Sequence, residues 1–178
     1  MTKQSELSWV AVGRTRIGTH EVKGAKHSPL VLSMWDVSFK ATGQKTWIKD
    51  DETAWCGGFI GYCFAQENNQ VLIEHIPKDF YRAKSWANSG TALKKPAYGC
   101  VVVFSRTGGG HVGIVVGKDK HGNIMVLGGN QSDAVNIKPF STSRVLAYRW
   151  CGTQKNPLAS RYDLPVLDSN GKVSTNEA

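Results

Sequence analysis

The order of patterns along the chain predicts an α+β fold, with N-terminal helices packed on a small antiparallel β-sheet. Two observations carry this. Apolar residues recur at helical spacing through the first third of the chain, and from Cys100 onward short apolar runs alternate with turn residues. A third bounds it: 178 residues, 40% of them hydrophobic, suit one domain with a real core better than two.

Ser8 to Gly18 reads as the first helix, with Trp9, Val10, Val12 and Ile17 as apolar positions and Gly18 as a stop. Residues 28 to 42 form the second, with Pro29 suited to a first turn and Thr42-Gly43 ending it. The run from Asp50 to Ala65 opens on acidic and hydroxyl residues and then turns apolar, the mark of a helix start, with Thr53 or Asp51 as its cap. Cys56 then falls in or near a first turn. A short helical stretch is expected from Asp79 to Gly90, then four strands: Cys100 to Phe104, His111 to Gly117, Asn123 to Gly129 and Val145 to Trp150. After Gly152 the composition turns polar and rich in breakers. We therefore divide the chain into a domain over residues 1–152 and a tail over 153–178. The tail is extended, strapped down through Tyr162, Leu164 and Leu167, and disordered near its end.

Composition excludes several classes. No run approaches the roughly 20 apolar residues of a membrane helix, and neither a membrane span nor a Sec-type signal peptide is expected. A chain of this kind is expected to be made in the cytoplasm and to act elsewhere after lysis, after delivery by a dedicated secretion apparatus or by an unusual route. The net charge of +8 favours an anionic partner through long-range steering. The cations are scattered, however, without a basic stripe interleaved with aromatics, so nucleic acid is not the expected partner. Cys56, Cys63, Cys100 and Cys151 include no C-x-x-C pair, which argues against zinc or a redox motif. Cys56 and Cys63 on one helix lie about 10 Å apart, too far for a disulfide. Asp50, Asp51 and Glu52 lack the spacing of a cation loop and read as capping or solvated residues. No cofactor and no metal site are expected.

One set of residues is consistent with nucleophilic catalysis, which needs a thiol, a base within reach and a third group to orient the base. Cys56 sits at a helix start beside Gly57 and Gly58, small residues that leave room for a substrate backbone. Its own backbone N–H would serve an oxyanion hole. His111 begins a strand directly after Gly108-Gly109-Gly110, with open space before it. Pairing 111–117 with 124–130 puts Asn130 directly opposite His111, with Cβ atoms roughly 4.5 to 5.5 Å apart, so that its carbonyl accepts the imidazole N–H. A one-residue slip would leave Gln131 as the candidate. Cys63, Cys100 and Cys151 read as core, His121 as a loop tip, and His20, His27 and His75 as surface residues without partners.

Five segments, taken in order, resemble the NlpC-type and CHAP (cysteine, histidine-dependent amidohydrolase/peptidase) hydrolases of bacterial peptidoglycan. They are Asp51 to Cys56, Arg82 to Trp86 with Gly90, Gly99 to Arg106, Gly110 to Val115 and Gly128 to Ser132, and the likeness spans about residues 8 to 150. The resemblance implies a papain-like α+β core with Cys56 as nucleophile, His111 as base and Asn130 as the third residue. It also implies cleavage of a stem-peptide, cross-bridge or sugar–peptide amide, by a phage lysin or by a secreted antibacterial effector with a cognate immunity protein. The chain departs from the pattern at Cys100, where many relatives carry Asp, and at Gly128, where many CHAP members carry Glu. Two rival readings are a papain-like acyltransferase or deamidase acting on protein, and a non-catalytic basic module binding wall polymer or nucleic acid.

Overall fold

The helix that opens on Cys56 is apolar on every side, and a helix of that kind has to be buried all round. In the computed structural model, which describes residues 5–66 and 68–174, every residue of this helix, Cys56–Ala65, is buried. It is α3. Ahead of it come α1 (Ser8–Arg14) and α2 (Pro29–Ala41), and behind it a short α4 (Gln70–Glu74) and a 3-10 helix over Ala83–Asn88. The strands are β1 (Thr91–Leu93), β2 (Val101–Arg106), β3 (Gly109–Lys118), β4 (Ile124–Gly128), β5 (Asn136–Phe140) and β6 (Val145–Trp150). They form one antiparallel sheet in the order β1-β6-β2-β3-β4-β5. The predicted α+β class is the observed one.

α3 lies between α2 and the sheet, with β3 as its main sheet neighbour. Close approach is possible because three of its residues are glycines that face protein. A Cβ on Gly57 would stand 1.9 Å from the Phe80 carbonyl oxygen, one on Gly58 would meet the Trp35 ring at 2.8 Å, and one on Gly61 would meet Ser38 Oγ at 2.6 Å. This corrects the expectation that Gly57 and Gly58 open space for a substrate: they seat α3 against α2 and the Phe80 segment. Around that contact Trp35, Phe39 and Phe80 pack with ring centroids 4.9 to 6.3 Å apart. Each such ring contributes about 1.5 to 3 kcal/mol by burial.

The expected caps of α3 are also corrected. The residue before the helix is Trp55, and no side chain caps it. Asp51 is instead fully buried and accepts hydrogen bonds from the backbone N–H of Ser28 (2.7 Å) and of Val22 (2.8 Å), and pairs with His27 Nδ1 at 2.9 Å. His27, read as a surface residue without a partner, is thereby part of the anchor that ties the stretch before α2 to the stretch before α3. Asp50 accepts from Thr53 N–H at 2.6 Å and shapes the turn between.

The two strands missing from the sequence reading, β1 and β5, are the two edges of the sheet. β1 has three residues and β5 contains Pro139, and both features weaken a strand signal while being tolerated at an edge. The segment after Gly152 is laid against the core through Leu164, Tyr162 and Leu167. It crosses Gly117, where Lys118 N–H donates to Pro165 O (2.9 Å) and Leu167 N–H donates to Lys118 O (2.8 Å). The disorder expected near the chain end concerns residues 175–178, which lie outside the described residues.

Candidate active site

Cys56 is the first residue of α3, so its thiol lies where the backbone N–H groups of a first helical turn point outward. The backbone N–H groups of Val112, the residue after His111, and of Gly57 lie close enough to the thiol to favour its thiolate form. Contact between α3 and β3 thus places the thiol against the strand that carries the histidine. Burial pushes the Cys56 thiol above its ordinary range, while those two N–H groups and the Arg106 charge pull the other way without cancelling it. Burial likewise drives Cys63 and Cys151 up, and lifts Cys100 to about 12. All four thiols are free, and Cys63, Cys100 and Cys151 are core residues, as expected.

His111 sits on β3 opposite Phe104 of β2. Its side chain is buried, with 1% exposure, so the open space expected in front of it belongs to the neighbouring glycines instead. The ring stacks on Phe140 with centroids 5.5 Å apart and planes 4° from parallel, and Phe104 lies 6.1 Å away. This stack sets the plane of the imidazole.

The imidazole's Nε2 lies 3.1 Å from Gln131 Oε1. The orientation of that amide is fixed by its other end, because Gln131 Nε2 faces three acceptors: Asn136 Oδ1 at 2.8 Å, Asn136 O at 3.0 Å and Val126 O at 3.3 Å. The NH₂ group belongs on that side, so the carbonyl faces the ring and His111 Nε2–H is the donor. In the neutral ring the lone pair is then on Nδ1.

The hydrogen bond expected at Asn130 therefore goes to Gln131, and no slip in register causes it. Near the site the pairing is the expected one, with Ile114 opposite Leu127 and Val115 opposite Val126. But β4 ends at Gly128, and Asn130 has φ 56°, so the alternation of side chains stops before it reaches Asn130. The turn carries Gln131 under the ring in its place. Asn130 remains buried beside it, and its Oδ1 has no hydrogen-bond partner among the described residues. Gly128 makes the arrangement possible, since a Cβ there would lie 2.5 Å from Gln131 Oε1 and 3.3 Å from His111 Nε2. Asn136 completes the support, its Nδ2 donating to Gln131 O. Sequence reasoning missed Asn136 and Phe140 because both lie on the unrecognised β5.

A cleft of about 580 Å³ opens beside Cys56, walled by Tyr81, Arg82, Lys84, Arg106 and Gly108 to Gly110. One wall is braced by Ser85, whose hydroxyl donates to Asp79 at 2.6 Å. A groove of about 490 Å³ between β5 and the C-terminal segment shares no lining residue with it. Among the described residues no cluster of His, Cys, Asp and Glu is arranged to hold a metal ion, and no helix is long and apolar enough to cross a membrane.

Helices packed on an antiparallel sheet, with a cysteine heading the buried helix and a histidine on the adjoining strand, define the class: a papain-like α+β domain. Residues 48–130 match the family model of the CHAP domain. The match runs from just before α3 to Asn130 and includes Cys56 and His111. The CHAP family is one of peptidoglycan amidases and peptidases in general. No curated protein and no solved structure matches the chain.

Proposed function

We propose that the protein hydrolyses an amide bond of bacterial peptidoglycan through a Cys56 acyl-enzyme, with His111 as base and Gln131 as the residue that orients it. The observation that carries the reading is the junction of α3 and β3, which sets the Cys56 thiol beside the strand that bears His111 while Gln131 holds the imidazole by Nε2. In this scheme His111 Nδ1 takes the thiol proton and the thiolate attacks the amide carbonyl. The carbon–nitrogen bond then breaks as the imidazolium protonates the leaving amine, and water cleaves the thioester to restore the thiol. A raised thiol pKa suits this order of events, because the resting group is a neutral thiol that depends on its base. Backbone N–H groups in the uncapped first turn of α3 would bind the oxyanion. The chain would act on the wall either as a phage lysin released at lysis or as an antibacterial effector delivered by a secretion apparatus. The latter would be matched by an immunity protein.

The test is mass spectrometry of the muropeptides released from purified sacculi by wild type and by Cys56→Ala in parallel. New fragments from wild type alone identify both the thiol and the bond cut. Fragments from neither, over walls of several chemotypes, would defeat the proposal, and fragments from both would remove Cys56 from it.

A further inference from the structure

The cleft beside Cys56 is lined by three cations, Arg82, Lys84 and Arg106, and among its described lining residues Asp79 is the one carboxylate, already engaged by Ser85. Arg106 ends β2 and pairs with Gly109 across the hairpin, and a Cβ on Gly109 would come within 3.4 Å of its Nε. A Cβ on Gly110 would meet Lys84 at 3.0 Å, so the glycine hairpin is the floor on which both cationic side chains lie. Arg106 Nε is buried without a hydrogen-bond partner among the described residues, an uncompensated donor on a half-buried side chain. The Arg106 charge also acts on the Cys56 thiol, which places it within electrostatic reach of the reacting group.

We propose that this cleft is an anion-recognition subsite in which Arg106, assisted by Lys84 and Arg82, receives a free carboxylate of the substrate next to the scissile amide. The inference rests on the amide-hydrolysis reading above and narrows it to acidic peptides. A guanidinium presents a planar fork that matches a carboxylate, and an unsatisfied buried donor gains most from such a partner. Stem peptides of peptidoglycan carry free carboxylates beside their amide bonds, so the wall offers the required chemistry.

Two readouts on the intact chain separate this inference from the reading beneath it. The first is alkylation of Cys56 by iodoacetate and by its neutral counterpart iodoacetamide, followed by peptide mass mapping. In each case the sulfur–carbon bond forms as iodide leaves. Taking the ratio of the two rates cancels any change in thiolate content. Arg106→Gln is expected to lower the iodoacetate-to-iodoacetamide ratio about fivefold, Lys84→Gln to lower it less, and Arg106→Lys to keep most of it. The second readout compares cleavage of a released muropeptide with that of its carboxyl-amidated form. Wild type should prefer the free acid through KM, and Arg106→Gln should lose that preference. If wild type cuts no wall at all yet the alkylation ratio collapses in Arg106→Gln, the subsite stands and the hydrolase reading falls. If walls are cut while both ratios are the same in wild type and Arg106→Gln, the subsite is overturned and the hydrolase reading stands.

Discussion

His111 Nε2 and Gln131 Oε1 lie 3.1 Å apart, and the amide that makes this contact is held from behind by Asn136 and Val126. A histidine oriented in this way has its proton placed on one nitrogen and its lone pair on the other, which is what a base beside a thiol requires. Removing the acceptor should therefore cost activity. Gln131→Ala is expected to lower muropeptide release about a hundredfold with the fold retained, and Asn130→Ala to lower it less. Gln131→Glu should also be impaired, because its second oxygen would face the carbonyl oxygens that the amide NH₂ now satisfies. A larger loss in Asn130→Ala than in Gln131→Ala would take the orienting role away from Gln131.

Gly128 supplies the space that Gln131 uses. A methyl group there would lie 2.5 Å from Gln131 Oε1, so Gly128→Ala should push the amide off the imidazole and reproduce the Gln131→Ala defect. Because the clash is with the end of a side chain, the loss of stability should be small. Proton NMR of the His111 ring N–H checks this, and an unchanged ring resonance in Gly128→Ala would show that the amide had not moved.

The titration of Cys56 gives a third expectation. Burial raises the thiol above its ordinary value of 9.0, so the reactive thiolate is the minor form at neutral pH. In His111→Ala, where no imidazole takes the proton, Cys56 alkylation should be slow at neutral pH and still climbing beyond pH 9. A rate that levels off below that value would mean that burial does not control the thiol.

Asp51 links pH to stability. Although burial raises its pKa, hydrogen bonds from Ser28 and Val22 N–H and from His27 hold its carboxyl below the usual 3.8. A carboxyl depressed in the folded state stabilises the protein above its unfolded pKa and loses that contribution as pH falls through the folded value. Asp51→Asn should therefore be less stable than wild type near neutrality, by about 2 to 4 kcal/mol for a buried charge-assisted network, with the gap closing in acid. Denaturant midpoints of both proteins across pH measure this, and a gap that is independent of pH would contradict it.

Packing of α3 supplies the last. Gly57→Ala forces a methyl against the Phe80 carbonyl oxygen at 1.9 Å, and backbone cannot give way cheaply. We expect a loss of about 3 kcal/mol or more, or failure to fold. Gly61→Ala meets Ser38 Oγ, a side-chain atom, and should be partly rescued by Ser38→Ala. A freely tolerated Gly57→Ala would mean that α3 does not seat as closely as described.

Much of this architecture was legible in local pattern. Helical periodicity located α1, α2 and α3 to within a few residues at each end, and apolar runs located β2, β3, β4 and β6. Cys56 at a helix start and His111 at the head of a strand followed from neighbours within a few positions along the chain. β1 and β5 did not announce themselves, because edge strands are short or carry proline and have little pattern to read.

The sequence by itself determined the α+β order, the cysteine-led helix and the register that brings β4 toward His111, because hydrophobic period and strand alternation are properties of local residues. Tertiary structure alone decided the residue that meets the imidazole. Strand alternation ends where φ turns positive at Asn130, and the choice of Gln131 depends on the space at Gly128 and on acceptors from β5. It likewise decided that Asp51 is a buried anchor, and that Gly57 faces the Phe80 backbone while Gly108 to Gly110 face the cleft. A glycine or a carboxylate looks the same in sequence wherever it points, and only the elements packed against it give it a role.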